Sequence, residues 1–246
     1  MKPREGLYAV VGVLAAWYAL ALLVNQPVLP TPLQVAVVII PEIRNGLAVD
    51  FLVSLWRVLA STFIAILTAV PAGLALGQYP SVDRFFKPVI YLLYPIPKVV
   101  LVPIVLLLFG IGDFPKIVMI FIVLFFQILV LVRDQAAAIR PELITSVRSL
   151  GAGRRALFRF VYLPASMPAI LTALRQSIGT SVAVLYIAEL FATEKGLGYY
   201  IYLNGSTLFN YPAMYAGIVA MSLLGLGLYF SVDWVEKRIC PWMERK

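Results

Sequence analysis

The chain has 246 residues, of which 62% are hydrophobic and only 13% charged, and its mean hydropathy of +0.93 means more apolar surface than one water-soluble core can hide. The net charge is +8, yet no polar stretch is long enough to form a solvated basic domain, which argues against nucleic acid as a partner. With no histidine and a single cysteine, Cys240, the sequence excludes Ser-His-Asp chemistry, histidine-ligated metals, paired-cysteine metal sites and an internal disulfide.

In chain order, Lys2 and Arg4 precede an apolar run from Gly6 to Val24. This run is longer than a signal-peptide core and no small-residue cleavage site follows it, which predicts a retained first span over 6–24. Later apolar runs predict spans over 48–78, 88–109, 115–132, 167–190 and 212–233. Most approach or exceed the roughly 20 residues that carry a helix across about 30 Å of hydrocarbon, and the second is long enough to tilt or project. The expectation is an all-α integral membrane protein of six transmembrane helices, one domain over 1–246. With the N-terminus in the cytoplasm, fifteen of the 20 basic residues fall inside, with Arg44, Lys116 and Lys195 outside and Arg57 and Lys98 within spans. The opposite topology inverts this bias, so both termini are expected to be cytoplasmic.

Ionisable residues inside a span cost about 3 kcal/mol each on insertion scales, which makes them functional candidates. Lys98 falls midway along the third predicted span beside Pro95 and Pro97, whose missing amides and ring clashes break a regular helix. Arg57 lies in the outer half of the second span, and Glu189 near the outer end of the fifth. Arg57, Lys98 and Glu189 are the candidate pathway residues, and the two deepest charges are positive, which suits an anion. A structural ion pair or snorkelling is the competing reading for Arg57 and Glu189. Gly73 and Gly77 give a G-x-x-x-G spacing that permits close helix approach, within one subunit or between two.

The longest cytoplasmic loop is predicted over 133–166. Its stretch VRSLGAGRRALFRFVYLPASMPAIL, 147–171, holds four arginines and no acidic residue. Pro141 suits the first turn of a short helix and Gly151 its C-terminal stop. Between them Leu143, Ile144, Val147 and Leu150 form one apolar stripe. After Gly151-Ala152-Gly153 a second helical segment is predicted from Arg154 until Pro164. On residue spacing alone, an amphipathic hairpin on anionic headgroups and a protein-docking element are equally open. Beyond the fifth span, Tyr199, Tyr200, Tyr202, Phe209 and Tyr211 fit an aromatic membrane-interface belt.

The loop resembles the signature of ABC-importer permeases, written EAA, three residues, Gly, nine residues, I-x-L-P. Here it reads Thr145-Ser146-Val147, Gly151 and Val161-Tyr162-Leu163-Pro164, with Thr145 where the family often has Glu, and Ser146 and Val147 where it has alanines. The blocks SLWRVLASTFIAILTAVPAGLALG, PIPKVVLVPIVLLLFGIGDFPKI, RSLGAGRRALFRFVYLPASMPAIL and IAELFATEKGLGYYI are similar to the nitrate, sulfonate, taurine and bicarbonate branch, which also holds permeases for thiamine-precursor pyrimidines. The resemblance implies the type I ABC importer permease fold in a prokaryotic plasma membrane. It implies a coupling helix at Glu142–Leu150, docked in a groove of a cytosolic ABC ATPase dimer. The apolar stripe would seat it, while Arg148, Arg154 and Arg155 pair with acidic groove residues, around a hairpin of Gly151, Ala152 and Gly153 closed by Leu163 and Pro164. It further implies a second permease subunit, either a copy of this chain or a related one, and an extracytoplasmic substrate-binding protein, for which Glu194 and Lys195 are candidate contacts.

ATP and Mg would then belong to the ATPase, with no cofactor, metal or catalytic residue in this chain. The residues agree, since a phosphate-binding P-loop needs Gly-Lys followed by Ser or Thr and the chain contains no Gly-Lys pair. GAGRRA, 151–156, fits G-x-G-x-x-A but follows a helix, not a strand, and so is no dinucleotide site. A secondary transporter would show paired broken helices in two halves, and only one proline-broken region is present. An intramembrane enzyme would need acid–base groups that the spans lack.

Overall fold

The structure is a computed structural model and describes residues 3–191 and 193–241, so Lys2, Arg245 and Lys246 of the charge asymmetry lie outside the described residues. The described residues form helices and the turns that join them, without strands. Eleven α-helices follow in order: α1 Pro3–Val24, α2 Pro32–Glu42, α3 Ala48–Gln78, α4 Pro80–Leu93, α5 Val102–Phe109, α6 Asp113–Ala137, α7 Pro141–Ser149, α8 Arg154–Leu157, α9 Leu163–Glu189, α10 Leu197–Tyr202 and α11 Tyr211–Ile239. Among the described residues five helical stretches are long and apolar enough to cross a membrane, and a sixth forms if α4 and α5 count as one span bent by 79°.

The bend falls where Pro95 and Pro97 interrupt the backbone ladder between Leu93 and Lys98. Two other segments differ from the sequence-based expectation. Residues 32–47, left outside the predicted spans, are α2 followed by a π-turn over Ile43–Leu47. Thr31 and Gln34 close a capping box at the start of α2 and Pro32 occupies its first turn, so this end is locally encoded. Pro164, expected to end the helix begun at Arg154, lies instead inside a continuous helical path from Arg154 to Glu189. A π-turn over Phe158–Tyr162 makes this possible: Leu163 N–H bonds to the Phe158 carbonyl, so the ladder is already displaced where Pro164 offers no donor and its ring needs room.

The chain divides into two compact units. The first comprises residues up to Leu55 together with Glu189–Leu224. In it Trp17 stacks on Tyr215 with ring centroids 5.6 Å apart and donates its indole N–H to the Pro30 carbonyl at 3.1 Å. Outside that anchor α1 faces outward with Leu7, Val13 and Leu23, each more than half exposed, as a lipid-solvated helix requires.

The second unit holds Trp56–Ala188 and the chain from Gly225 onward. Its centre is the seam of α3 on α6, where Ala65, Ala69, Ile120, Ile128 and Val132 are fully buried. Gly73 and Gly77 face the α6 backbone within the same subunit. A Cβ on Gly77 would sit 2.8 Å from the Arg133 carbonyl oxygen and 2.9 Å from the Ala137 nitrogen. Elsewhere in this unit Arg175 of α9 pairs with Asp233 and Glu236 of α11, at 3.4 and 2.9 Å.

Candidate functional site

The hairpin that follows α6 is built from local rules. Pro141 opens α7 with its fixed φ and no donor to lose, while Glu142 in the first turn and Arg148 in the last complement the helix dipole. Thr145 donates its hydroxyl to the Pro141 carbonyl at 3.0 Å, and Ser149 does the same to Ser146 at 2.8 Å. The Thr145 side chain is thus turned back onto its own helix. The turn closes at Gly151, whose φ of +82° suits glycine, with its N–H on the Arg148 carbonyl. After Ala152, the Gly153 carbonyl accepts from Leu157 N–H and starts α8.

No residue of α7 is buried. Leu143 is exposed, Leu150 is 86% exposed, and Ile144 and Val147 are half-buried. Arg148, Arg154 and Arg155 are exposed around them. The hairpin therefore presents an uncovered apolar stripe ringed by cations, anchored at its far end by buried Leu157, Val161 and Tyr162.

The candidate charges within the spans fall in different settings. Arg57 is 2% exposed and donates Nε and Nη2 to Asp113 Oδ1, at 2.9 and 2.6 Å. Glu189 is fully buried, accepting from the Ser54 hydroxyl at 2.8 and 2.9 Å and from the Gly198 amide at 2.8 Å. Ser54 in turn accepts from Leu197 N–H at 2.8 Å, and Asp50 from Gly196 N–H at 2.7 Å. Three side chains thus take the orphan amides at the start of α10. Tyr200 completes this segment by donating to Glu42 at 2.6 Å, and burial together with that carboxylate pushes its hydroxyl well above the usual phenol range.

Lys98 is only half-buried. Its ammonium bonds to the Tyr94 carbonyl across the bend and lies 4.9 Å from the Phe126 ring centroid and 5.3 Å from that of Tyr94. Sequence reasoning counted Lys116, which is 1% exposed in the first turn of α6, only among the basic residues on the outer side and did not single it out. It also missed the partners Asp113 and Asp83, which lie 56 and 50 residues from the arginines they hold. No local pattern carries such pairings. Among the described residues no cluster of acidic or cysteine side chains is arranged to hold a metal.

Residues 61–240 match the family described as binding-protein-dependent transport system inner membrane component. Among curated proteins, the taurine transport system permease protein TauC of Escherichia coli is 32% identical over 77% of this chain and 68% of its own length. The formylaminopyrimidine transport permease protein ThiX of Halalkalibacterium halodurans is 27% identical over 94% and 92%. The nitrate import permease protein NrtB of Synechococcus elongatus is 25% identical over 93% and 86%. Among solved structures, the MetNI methionine ABC transporter in an inward-facing conformation superposes with a TM-score of 0.69 at 20% identity, over 80% of this chain and 98% of the matched one. The last likeness gives the fold, that of an ABC importer permease, and the family match extends through the hairpin and the spans on either side of it: this chain belongs to the binding-protein-dependent transport system inner membrane component family.

Proposed function

We propose that this permease forms half of the solute pathway of an ATP-driven importer, with a second copy of itself completing the conduit. A cytosolic ATPase dimer that binds ATP and Mg grips α7, and an extracytoplasmic binding protein delivers the solute. The single observation that carries this reading is the hairpin, because a short helix with none of its residues buried and an apolar stripe on display is stabilised only by a surface that covers it. ATP can drive the cycle only if the ATPase binds it more tightly in one state of the permease than in the other. In this reading the hairpin and both termini lie in the cytoplasm of a prokaryotic cell, which the basic bias of the sequence supports.

The solute is a small anion of the sulfonate, taurine, nitrate or bicarbonate class, and Lys98 is the pathway charge. It is half-buried beside a break in the helix, whereas Arg57 and Glu189 are spent on contacts within the fold. A pyrimidine such as a thiamine precursor is the second reading, favoured by the likeness to ThiX over nearly the whole chain.

The test is purification of the tagged permease with its neighbouring gene products. An ATPase subunit is expected to co-purify, with ATP hydrolysis rising when binding protein loaded with taurine, nitrate, bicarbonate or formylaminopyrimidine is added. A permease that purifies alone and moves solute without ATP overturns the reading. Lys98→Met is expected to lower uptake of the anions while leaving a neutral pyrimidine unaffected; unchanged anion uptake removes Lys98 from the pathway.

A further inference from the structure

The turn between α3 and α4 is a single residue, Tyr79, and both limbs of the hairpin hold it. On the α6 limb, Arg133 donates Nε and Nη2 to the two carboxylate oxygens of Asp83 in the first turn of α4, the second at 2.8 Å. A further guanidinium nitrogen reaches Asp134 at 3.2 Å. Beside this pair Gly77 brings the end of α3 against the Arg133 carbonyl and Ala137 amide. On the α8 limb, the Arg154 guanidinium lies 5.9 Å from the Tyr79 ring centroid. The corner from Gly77 to Asp83 is therefore clasped by Arg133 of α6, the helix that leads into the hairpin, and by Arg154 at the start of α8.

The contacts differ in stiffness. The Arg154 ring contact is long and its guanidinium is exposed, so it can slide. The fork of Arg133 is planar and bidentate, and its side chain is 10% exposed, so it fixes both the distance and the orientation of Asp83. Asp134, the other carboxylate partner of Arg133, is 63% exposed and makes a single contact, so it cannot replace that fork. Whatever displaces the end of α6 must carry the start of α4 with it. One helix further on comes the 79° bend, with Lys98 at its far side.

We propose that the Asp83–Arg133 pair is the strut that carries movement of the α7 hairpin into the bent α4–α5 pair, so that these two are positioning residues for transport and not for nucleotide hydrolysis. The inference deepens the importer reading and rests on it. Its test uses the complete assembly of permease, ATPase and binding protein in liposomes, with uptake measured for whichever of taurine, nitrate, bicarbonate and formylaminopyrimidine the unaltered protein imports. Asp83→Asn and Arg133→Gln are each expected to keep ATP hydrolysis while solute moved per ATP falls about tenfold, and the exchange Asp83→Arg with Arg133→Asp to recover much of it.

A second measurement leaves the pair intact. In a Cys240→Ser background, spin labels at Arg84→Cys and Ala137→Cys are expected to report the same separation in nucleotide-free and ATP-bound assemblies. A change of about 5 Å, one helical turn, would show that the strut breaks during the cycle and overturns the proposal. So would normal coupling in Asp83→Asn. If the charge variants fail to assemble, the label distance decides alone. An unaltered assembly that hydrolyses no ATP would sink the importer reading and the strut together, an outcome distinct from either failure of the strut.

Discussion

Two connecting segments of this protein are built by opposite rules. The segment around α10 is structural: four of its six helical residues are buried, and Asp50, Ser54 and Glu189 occupy the amides at its start. The α7 hairpin buries none of its helix and satisfies its turns from its own backbone and hydroxyls. The first segment is finished by the chain itself. The second is left incomplete in the one respect that a partner can supply, cover for an apolar stripe.

That contrast can be broken by mutation. The largest effect on stability is expected from Glu189→Ala, which leaves the Ser54 hydroxyl and the Gly198 amide facing a void; about 3 kcal/mol should be lost, read as a lower Tm in detergent and poor recovery of the folded fraction. Next comes Gly77→Ala, whose methyl group meets backbone that cannot yield; about 2 kcal/mol is expected from the same melts, against almost nothing for Gly227→Ala, where there is open space. Gly151→Val should cost only about 1 kcal/mol, because the strained residue sits on an exposed turn, yet it should separate ATP hydrolysis from transport. Smallest in the melt is Leu150→Ser, within about 0.5 kcal/mol of the unaltered protein. Its affinity for the ATPase, measured by co-purification against salt and detergent washes, should nevertheless fall about tenfold. If the order of stability and the order of ATPase binding turn out the same, the two segments do not differ in kind.

The parts of the molecule legible in the sequence are those fixed by composition and by neighbouring residues. Apolar runs located the membrane helices, Pro141 and Gly151 marked the limits of α7, and Pro95 and Pro97 marked the break before Lys98. The capping box of Thr31 and Gln34 would have revealed α2, but the apolar, proline-interrupted stretch after it reads as connecting chain. What remained hidden depends on distant partners. Arg57 and Asp113, Arg133 and Asp83, and Glu189 and Ser54 meet only after helices have packed, and Lys116, counted among the outer basic residues, is drawn into the interior. For the same reason a charge inside a span announced that it must be compensated without saying whether the compensation is a solute or a neighbouring helix.

The π-turn ahead of Pro164 also sets an angular register. An extra residue in one turn rotates everything after it by about 100° relative to an uninterrupted α-helix, so a helical wheel drawn from Arg154 through α9 assigns the wrong faces beyond Tyr162. Ser166 and Ser177 lie on the buried face of the helix beyond it. Removing a single residue between Phe158 and Tyr162 would leave every side chain of the hairpin intact and yet swing it by more than a quarter of a revolution about its stem, aiming it away from whatever it was set to meet.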